Sequence, residues 1–217
     1  MKKMKRFLTT LFVALASFVT VAQTTDDTTL KFLGIPVDGS KYEMIQKLQK
    51  KGFKYDRTND MLTGKFNGKE SNIYISENYG KVDRIFVADA DVVSASQIII
   101  NYNNLLYQFK KNEKYAEIQE NKPIPENENV SYEMSVRNKN YDAQFFLKPQ
   151  FTDEEKQEFA AKAEEIDDED ALGELLMGTL TDKITGMVWF RIAEYRGNYY
   201  ICLYYDNLKN RPNGEDL

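Results

Sequence analysis

Two helix-start signals, each followed by a run of strands, constrain the fold of this chain more than any other feature. Ser40 with Glu43, and Ser94 with Gln97, form S-x-x-E/Q capping boxes, in which side chains satisfy free N–H groups at a helix start. Apolar residues then recur at helical spacing, which predicts one helix over 41–51 and a second that opens at Ser94. Because strands follow each helix in runs, the pattern predicts an α+β protein: an antiparallel sheet with helices packed on one face.

The predicted strands show the period of two that half-buried antiparallel strands require, as in Ile73 with Ile75 and Ile85 with Val87. Both halves, residues 30–92 and 93–207, begin with a capped helix, which suggests a duplicated α-β-β-β unit, although their sequences match only weakly. The strands are predicted near Met61–Phe66, Asn72–Ser76, Val82–Asp89, Val130–Val136, Tyr141–Leu147, Ile184–Tyr195 and Asn198–Asp206.

The segment 152–182 is an acidic helical insert between two of these strands, with 12 acidic residues against two lysines, a net charge of −10. An EF-hand register that starts at Asp168 fails, because Leu172 takes position 5 and Thr179 takes position 12, where calcium needs a bidentate Glu. The segment is therefore predicted to be a solvated charged face or a surface for a basic partner. Its negative charge repels nucleic-acid phosphate, so we predict no nucleic-acid partner. For the chain as a whole we predict no metal and no cofactor.

The N-terminal residues have the layout of a secretory signal peptide. Four basic residues precede the uncharged, 15-residue apolar run Phe7–Val21, and we predict cleavage after Ala22. The mature chain is then expected to be exported, periplasmic or secreted, and to contain no transmembrane segment. We expect a flexible tail over 23–29, a single domain over 30–207 and a disordered tail over 208–217.

The residue types exclude several kinds of catalysis. With no histidine and one cysteine, the chain lacks the residues of Ser-His-Asp and Cys-His catalysis and of zinc sites built on His and Cys clusters. Cys202 lies in an apolar strand and cannot form an intramolecular disulfide, so we predict a buried, inert thiol. A pair of carboxylates would suffice for glycoside hydrolysis, but no pair stands out among the many present.

Strand alternation predicts a face rich in aromatic rings. If Val188, Phe190 and Ile192 face the helices, and Ile201 and Leu203 do the same, the alternate residues face the opposite side. Rings with polar tips beside an arginine are typical of surfaces that bind protein or sugar. The alternative is that tyrosines simply suit β-strands, or that the insert packs over this face. The residues predicted to form a binding face are Tyr74, Phe86, Trp189, Arg191, Tyr200 and Tyr204.

Residues 30–89 also carry a resemblance. FLGIPVDGS, a helix that ends in KKGF, and then LTGKFNG and NIYIS resemble a pattern in uncharacterised exported proteins of Gram-negative bacteria. Their helix-then-strands layout is similar to the β-lactamase-inhibitor-like fold, which also hosts small outer-membrane assembly lipoproteins. The resemblance implies a fold and an envelope location, and it carries over no catalytic residue. No cysteine follows the apolar run, so the lipid anchor of the lipoprotein members is not expected here.

Together these observations predict an exported, soluble binding or interaction module without catalytic activity. Its partner would be a protein or glycan of the cell envelope, and its oligomeric state stays open. The alternatives are a secreted glycan hydrolase that uses carboxylates, and an inhibitor of another exported enzyme, which rests on fold analogy alone.

Overall fold

The computed structural model describes residues 29–212, and these divide into two compact units. One unit is the segment 148–184, and the other contains residues 29–147 and 185–212. The predicted signal peptide, residues 23–28 of the predicted flexible tail, and residues 213–217 lie outside the described residues. No helix within 29–212 has the length and apolar character needed to cross a membrane.

The larger unit is built on an eight-stranded antiparallel sheet, which a small hairpin accompanies. The hairpin strands are β1 (Lys31–Phe32) and β2 (Ile35–Pro36), and the sheet strands are β3 (Lys54–Asp56), β4 (Met61–Phe66), β5 (Lys69–Asn78), β6 (Lys81–Asp89), β7 (Tyr115–Ala116), β8 (Asp142–Leu147), β9 (Gly186–Tyr195) and β10 (Asn198–Asn207). In the sheet their order is β3-β4-β5-β6-β10-β9-β8-β7. This arrangement confirms the predicted α+β class with an antiparallel sheet.

Three helices belong to the same unit: α1 (Lys41–Lys50), α2 (Ala95–Lys111) and α3 (Val130–Ser135). The Ser40 and Ser94 side chains accept hydrogen bonds from the N–H groups of Glu43 and Gln97, as the capping boxes predict. The apolar stripes of α1 and α2 pack on one face of the sheet and form a single core. Its most deeply buried members include Met44, Leu48, Ile73, Ile85, Ile98, Tyr102, Val188 and Phe190.

The two halves of this unit share one layout, a helix followed by a four-stranded meander. The first half reads α1-β3-β4-β5-β6, and the second reads α2-β7-β8-β9-β10 with α3 inserted after β7. The halves join where their last strands pair, with Tyr204 of β10 opposite Phe86 of β6. The predicted repeat is therefore present in the topology of the larger unit, with four strands in each half instead of three.

One predicted strand, Val130–Val136, is wrong: residues 130–135 form helix α3. The alternating apolar residues of this stretch imitate a strand, but Val130 is buried while Tyr132 and Val136 are 45% and 59% exposed. The Asn129 side chain accepts from the Tyr132 N–H and starts a helix in their place. Strands β3 and β7, three and two residues long at the sheet edges, are too short to produce a periodic pattern.

Residues 208–212, the described part of the tail predicted to be disordered over 208–217, are held to the larger unit by hydrogen bonds. The Leu208 N–H donates to the Thr185 carbonyl, and the Asn210 side chain donates to the Val82 carbonyl and to an Asp38 carboxylate oxygen. The chain therefore stays bonded to the larger unit beyond residue 207.

The smaller unit is a helical pair, α4 (Asp153–Glu165) and α5 (Glu169–Lys183), as the predicted acidic insert requires. Thr152 and Glu155 form a complete capping box at the start of α4, and Glu155 also pairs with Lys183. Asp168 caps α5 by accepting from the Ala171 N–H, so the first position of the failed EF-hand register serves as a helix cap. Its own apolar cluster consists of Phe159, Ala163, Leu172 and Leu176.

Gly64 of β4 is expected to be intolerant of a side chain. A Cβ there would lie 2.7 Å from the Phe53 ring, which belongs to the core. We predict that Gly64→Ala lowers the free energy of unfolding by about 1–3 kcal/mol, measured by urea denaturation. Gly173→Ala is the control, because a Cβ in α5 would meet no atom within 4 Å. Equal stability of Gly64→Ala and wild type would contradict the packing described.

Candidate ligand-binding face of the sheet

The sheet face opposite α1 and α2 carries a continuous row of aromatic side chains. Cross-strand pairing places Tyr74 of β5 opposite Phe86 of β6, Phe86 opposite Tyr204 of β10, and Tyr204 opposite Trp189 of β9. Their neighbours along each strand point into the core, because side chains alternate between the two faces. We call these four residues, Tyr74, Phe86, Tyr204 and Trp189, the ring ladder.

The rings of the ladder stack on one another. Their centroids are 5.5 Å apart between Tyr74 and Phe86, 4.8 Å between Phe86 and Tyr204, and 3.9 Å between Tyr204 and Trp189, and the interplanar angles are 19°, 15° and 8°. Tyr74 is 37% exposed, and the other three are half-buried. Since Phe86 and Tyr204 each have a ring on both sides, they offer a ligand ring edges instead of ring faces, and Tyr204 also offers its hydroxyl group.

A buried carboxylate holds one end of the ladder. Asp206 of β10 is fully buried, and its Oδ1 and Oδ2 accept from Arg84 at 2.5 and 3.0 Å in a bidentate pair. The Trp189 indole N–H donates to Oδ2 at 2.9 Å, and Arg211 approaches the same oxygen at 3.4 Å. The hydrogen bond to Asp206 raises the pKa of the Arg84 guanidinium above its usual range. Asp206 therefore fixes the indole in place while its own charge is satisfied.

The Arg84–Asp206 pair is expected to behave as a coupled unit. Asp206→Leu leaves a partly buried guanidinium, and Arg84→Met leaves a buried carboxylate, so each should lower the free energy of unfolding by about 3 kcal/mol. The double variant should lose at least about 1 kcal/mol less than the two single losses combined. Urea denaturation of all four proteins checks this double-mutant cycle, and additive losses would contradict the coupling.

Beside the ladder lies a second, more polar row. Cross-strand pairing aligns Ala88, Cys202, Arg191 and Asp142 on neighbouring strands of the same face. Cys202 is 3% exposed and lies along β10 between Tyr200 and Tyr204. Burial raises the pKa of its thiol, and it also raises the pKa values of the two flanking phenols. The predicted buried thiol is present, on the same face as the ladder.

Arg191 is exposed, and its positive charge lowers the pKa of the Tyr204 phenol against the larger, opposite effect of burial. Asp142 is its cross-strand neighbour on β8. Within residues 29–212, however, Arg191 makes no ion pair shorter than 4 Å. The guanidinium is therefore a cation available at the side of the ladder.

Cys202 should resist thiol reagents in the folded protein. The side chain is buried and its raised pKa keeps it protonated, whereas alkylation requires an accessible thiolate. At pH 8 we expect iodoacetamide to modify the native chain roughly 100-fold more slowly than the chain in urea. Mass spectrometry of timed samples measures both rates, and rapid labelling of the native protein would show that this strand opens.

All six residues predicted for the binding face lie on one side of the sheet. Four form the ring ladder, and Arg191 and Tyr200 flank it. Arg84 and Asp206 were not among the residues predicted for this face. A signal was present, because Asp206 closes an apolar strand at a position that alternation assigns to this same face.

Comparison with known proteins gives no relative. No protein-family model, no curated protein and no solved structure matches this chain. A function must therefore be argued from the geometry of the face itself.

Proposed function

We propose that this chain is an exported binding module without catalytic activity, and that it docks a partner protein on the ring ladder and Arg191. The observation that carries the proposal is the ladder itself: four rings aligned by strand register, half-buried or exposed, beside a guanidinium with no ion-pair partner in residues 29–212. Tyr, Trp and Arg are the residues that contribute most to protein interfaces.

The stacking of the rings favours a polypeptide over a sugar at this face. A sugar ring packs against the flat face of an aromatic side chain, but both faces of Phe86 and Tyr204 are covered by neighbouring rings. Ring edges and hydroxyl tips remain, and these suit the mixed apolar and hydrogen-bonding surface of a protein.

Arg191 determines the chemistry expected of the partner. An exposed guanidinium binds a carboxylate through two parallel hydrogen bonds. The preferred partner is therefore a protein segment that places an Asp or Glu beside apolar side chains.

The hydrolase alternative gains no support from this face. A general acid needs a desolvated carboxyl group with a free oxygen. The buried carboxylate here, Asp206, has both oxygens occupied by Arg84 and Trp189. The geometry therefore favours binding.

A peptide-display selection tests this function. Random peptides selected on the wild-type chain should be enriched in acidic residues next to apolar ones. Arg191→Glu should weaken the best peptide at least about tenfold, because it removes a charge-assisted pair, and a peptide with Lys in place of its acidic residue should recover binding. Affinities would be measured by fluorescence anisotropy.

Lys114→Glu provides the matched control, since it makes the same charge change at an exposed loop residue away from the ladder. Its affinity should equal that of wild type. The proposal fails if selected peptides carry no acidic residue, or if Arg191→Glu and Lys114→Glu weaken binding equally.

A further inference from the structure

A cleft of about 560 Å³ opens in the larger unit where β7 leaves the sheet, between the segment 118–125 and β8. Its volume lies within the roughly 300–1,000 Å³ of small-molecule sites. The buried side chains of Tyr102, Ile124 and Tyr141 form its floor. The half-buried Phe146 ring and two prolines add apolar surface. The remaining lining residues are mostly polar: Gln119, Glu120, Asn121, Lys122, Lys139, Asn140, Asp142 and Gln144.

The loop that walls the cleft is held in a fixed shape. Residues 117–129 contain no helix or strand, yet Asn103 of α2 both donates to the Ile124 carbonyl and accepts from the Ile124 N–H, at 2.8 Å each. Glu117 accepts from the backbone and side-chain N–H groups of Asn121. Long loops of this kind in compact domains are usually functional, and side-chain hydrogen bonds hold this one in place.

The main-chain groups of β8 that face the cleft are already bonded. The Asn121 side chain accepts from the Gln144 N–H at 3.0 Å and donates to the Gln144 carbonyl at 2.9 Å, as a neighbouring strand would. The Tyr102 hydroxyl donates to the Asp142 carbonyl at 2.8 Å, and Phe146 pairs with Ala116 of β7. An extended peptide therefore cannot add to this edge as a further strand, and a ligand must be recognised by side chains.

The charges of the cleft side chains are balanced, so they favour neither an anion nor a cation as ligand. Two lysines and two acidic residues line it, and Lys139 is already paired with Glu128, which also accepts from the Tyr141 hydroxyl. The amides of Gln119, Asn140 and Gln144 make no side-chain hydrogen bond in the part of the chain that the structure describes. Each side-chain amide has two N–H donors and a carbonyl acceptor. A hydroxyl group, which both donates and accepts, can therefore bond to it in either direction.

We propose that this cleft binds a short neutral saccharide. Its hydroxyl groups would bond to the amides of Gln119, Asn140 and Gln144, and the apolar face of a sugar ring would pack against Phe146 and the prolines. Saccharide binding in this cleft is a separate proposal and does not depend on partner binding at the ring ladder. Gln144, which lines the cleft, is the cross-strand neighbour of Trp189, so the end of the ladder adjoins the cleft.

The only tryptophan of the chain supplies a direct readout. Maltotriose, cellotriose and tri-N-acetylchitotriose would be titrated singly into the full chain while Trp189 fluorescence and backbone amide NMR shifts are recorded. We expect at least one of them to saturate, with shifts concentrated in residues 118–125 and 139–146. A galacturonic acid trimer and a glucosamine trimer, of similar size but charged, should bind at least about tenfold more weakly.

Variants of the cleft residues test whether the saccharide binds there. Gln144→Ala and Asn140→Ala keep every main-chain bond described and should each weaken the saccharide about tenfold, while Gln49→Ala, an exposed amide of α1, should have no effect. Unfolding curves confirm that all three fold. The proposal is overturned if no neutral trisaccharide binds, if a charged trimer binds better, or if the cleft variants bind like Gln49→Ala. Peptide binding to the ring ladder is measured separately, so either site can fail alone.

Discussion

The bonds of Asp206 are the interaction on which the rest of this structure depends. The sheet consists of two meanders that meet only where β6 pairs with β10, and Asp206 lies on that seam. Its carboxylate joins Arg84 of the first half to Trp189 of the second. A fully buried charge with three donors around it tolerates little displacement, so the same bonds align the strands and hold the indole against Tyr204. The ring ladder is thus a product of the way the halves are joined.

Much of the fold could be predicted because the signals are local. Capping residues and helical spacing located α1 and α2, and alternation assigned the outward residues of β9 and β10. Local pattern failed at 130–136, where Asn129 and solvent exposure favoured a helix over a strand. It also could not reveal that Arg84 meets Asp206, because those residues are far apart in sequence and only the order of strands brings them together. Which residues share a face can be inferred from periodicity, but which of them touch depends on register.

The two proposed sites differ in chemistry. At each site, the groups that the protein itself already stacks or hydrogen-bonds determine which groups are left for a ligand. On the ladder, the rings stack face to face, so ring edges and the Arg191 guanidinium are left for a partner. In the cleft, Asn121 and Tyr102 satisfy the main chain of β8 and leave side-chain amides for a ligand. In both places, hydrogen bonding or stacking within the protein limits the groups that a ligand can contact. This limit is the source of the selectivity inferred for each site.

The attachment of the acidic helical pair has an evolutionary consequence. The pair departs from the end of β8 and returns at the start of β9, where Phe146 and Met187 are direct cross-strand neighbours. A segment whose two ends leave from adjacent backbone positions closes a hairpin that a short turn could also close, and the entropy of closure rises only slowly with loop length. Evolution can therefore lengthen, shorten or remove this strongly charged segment while the sheet keeps its register.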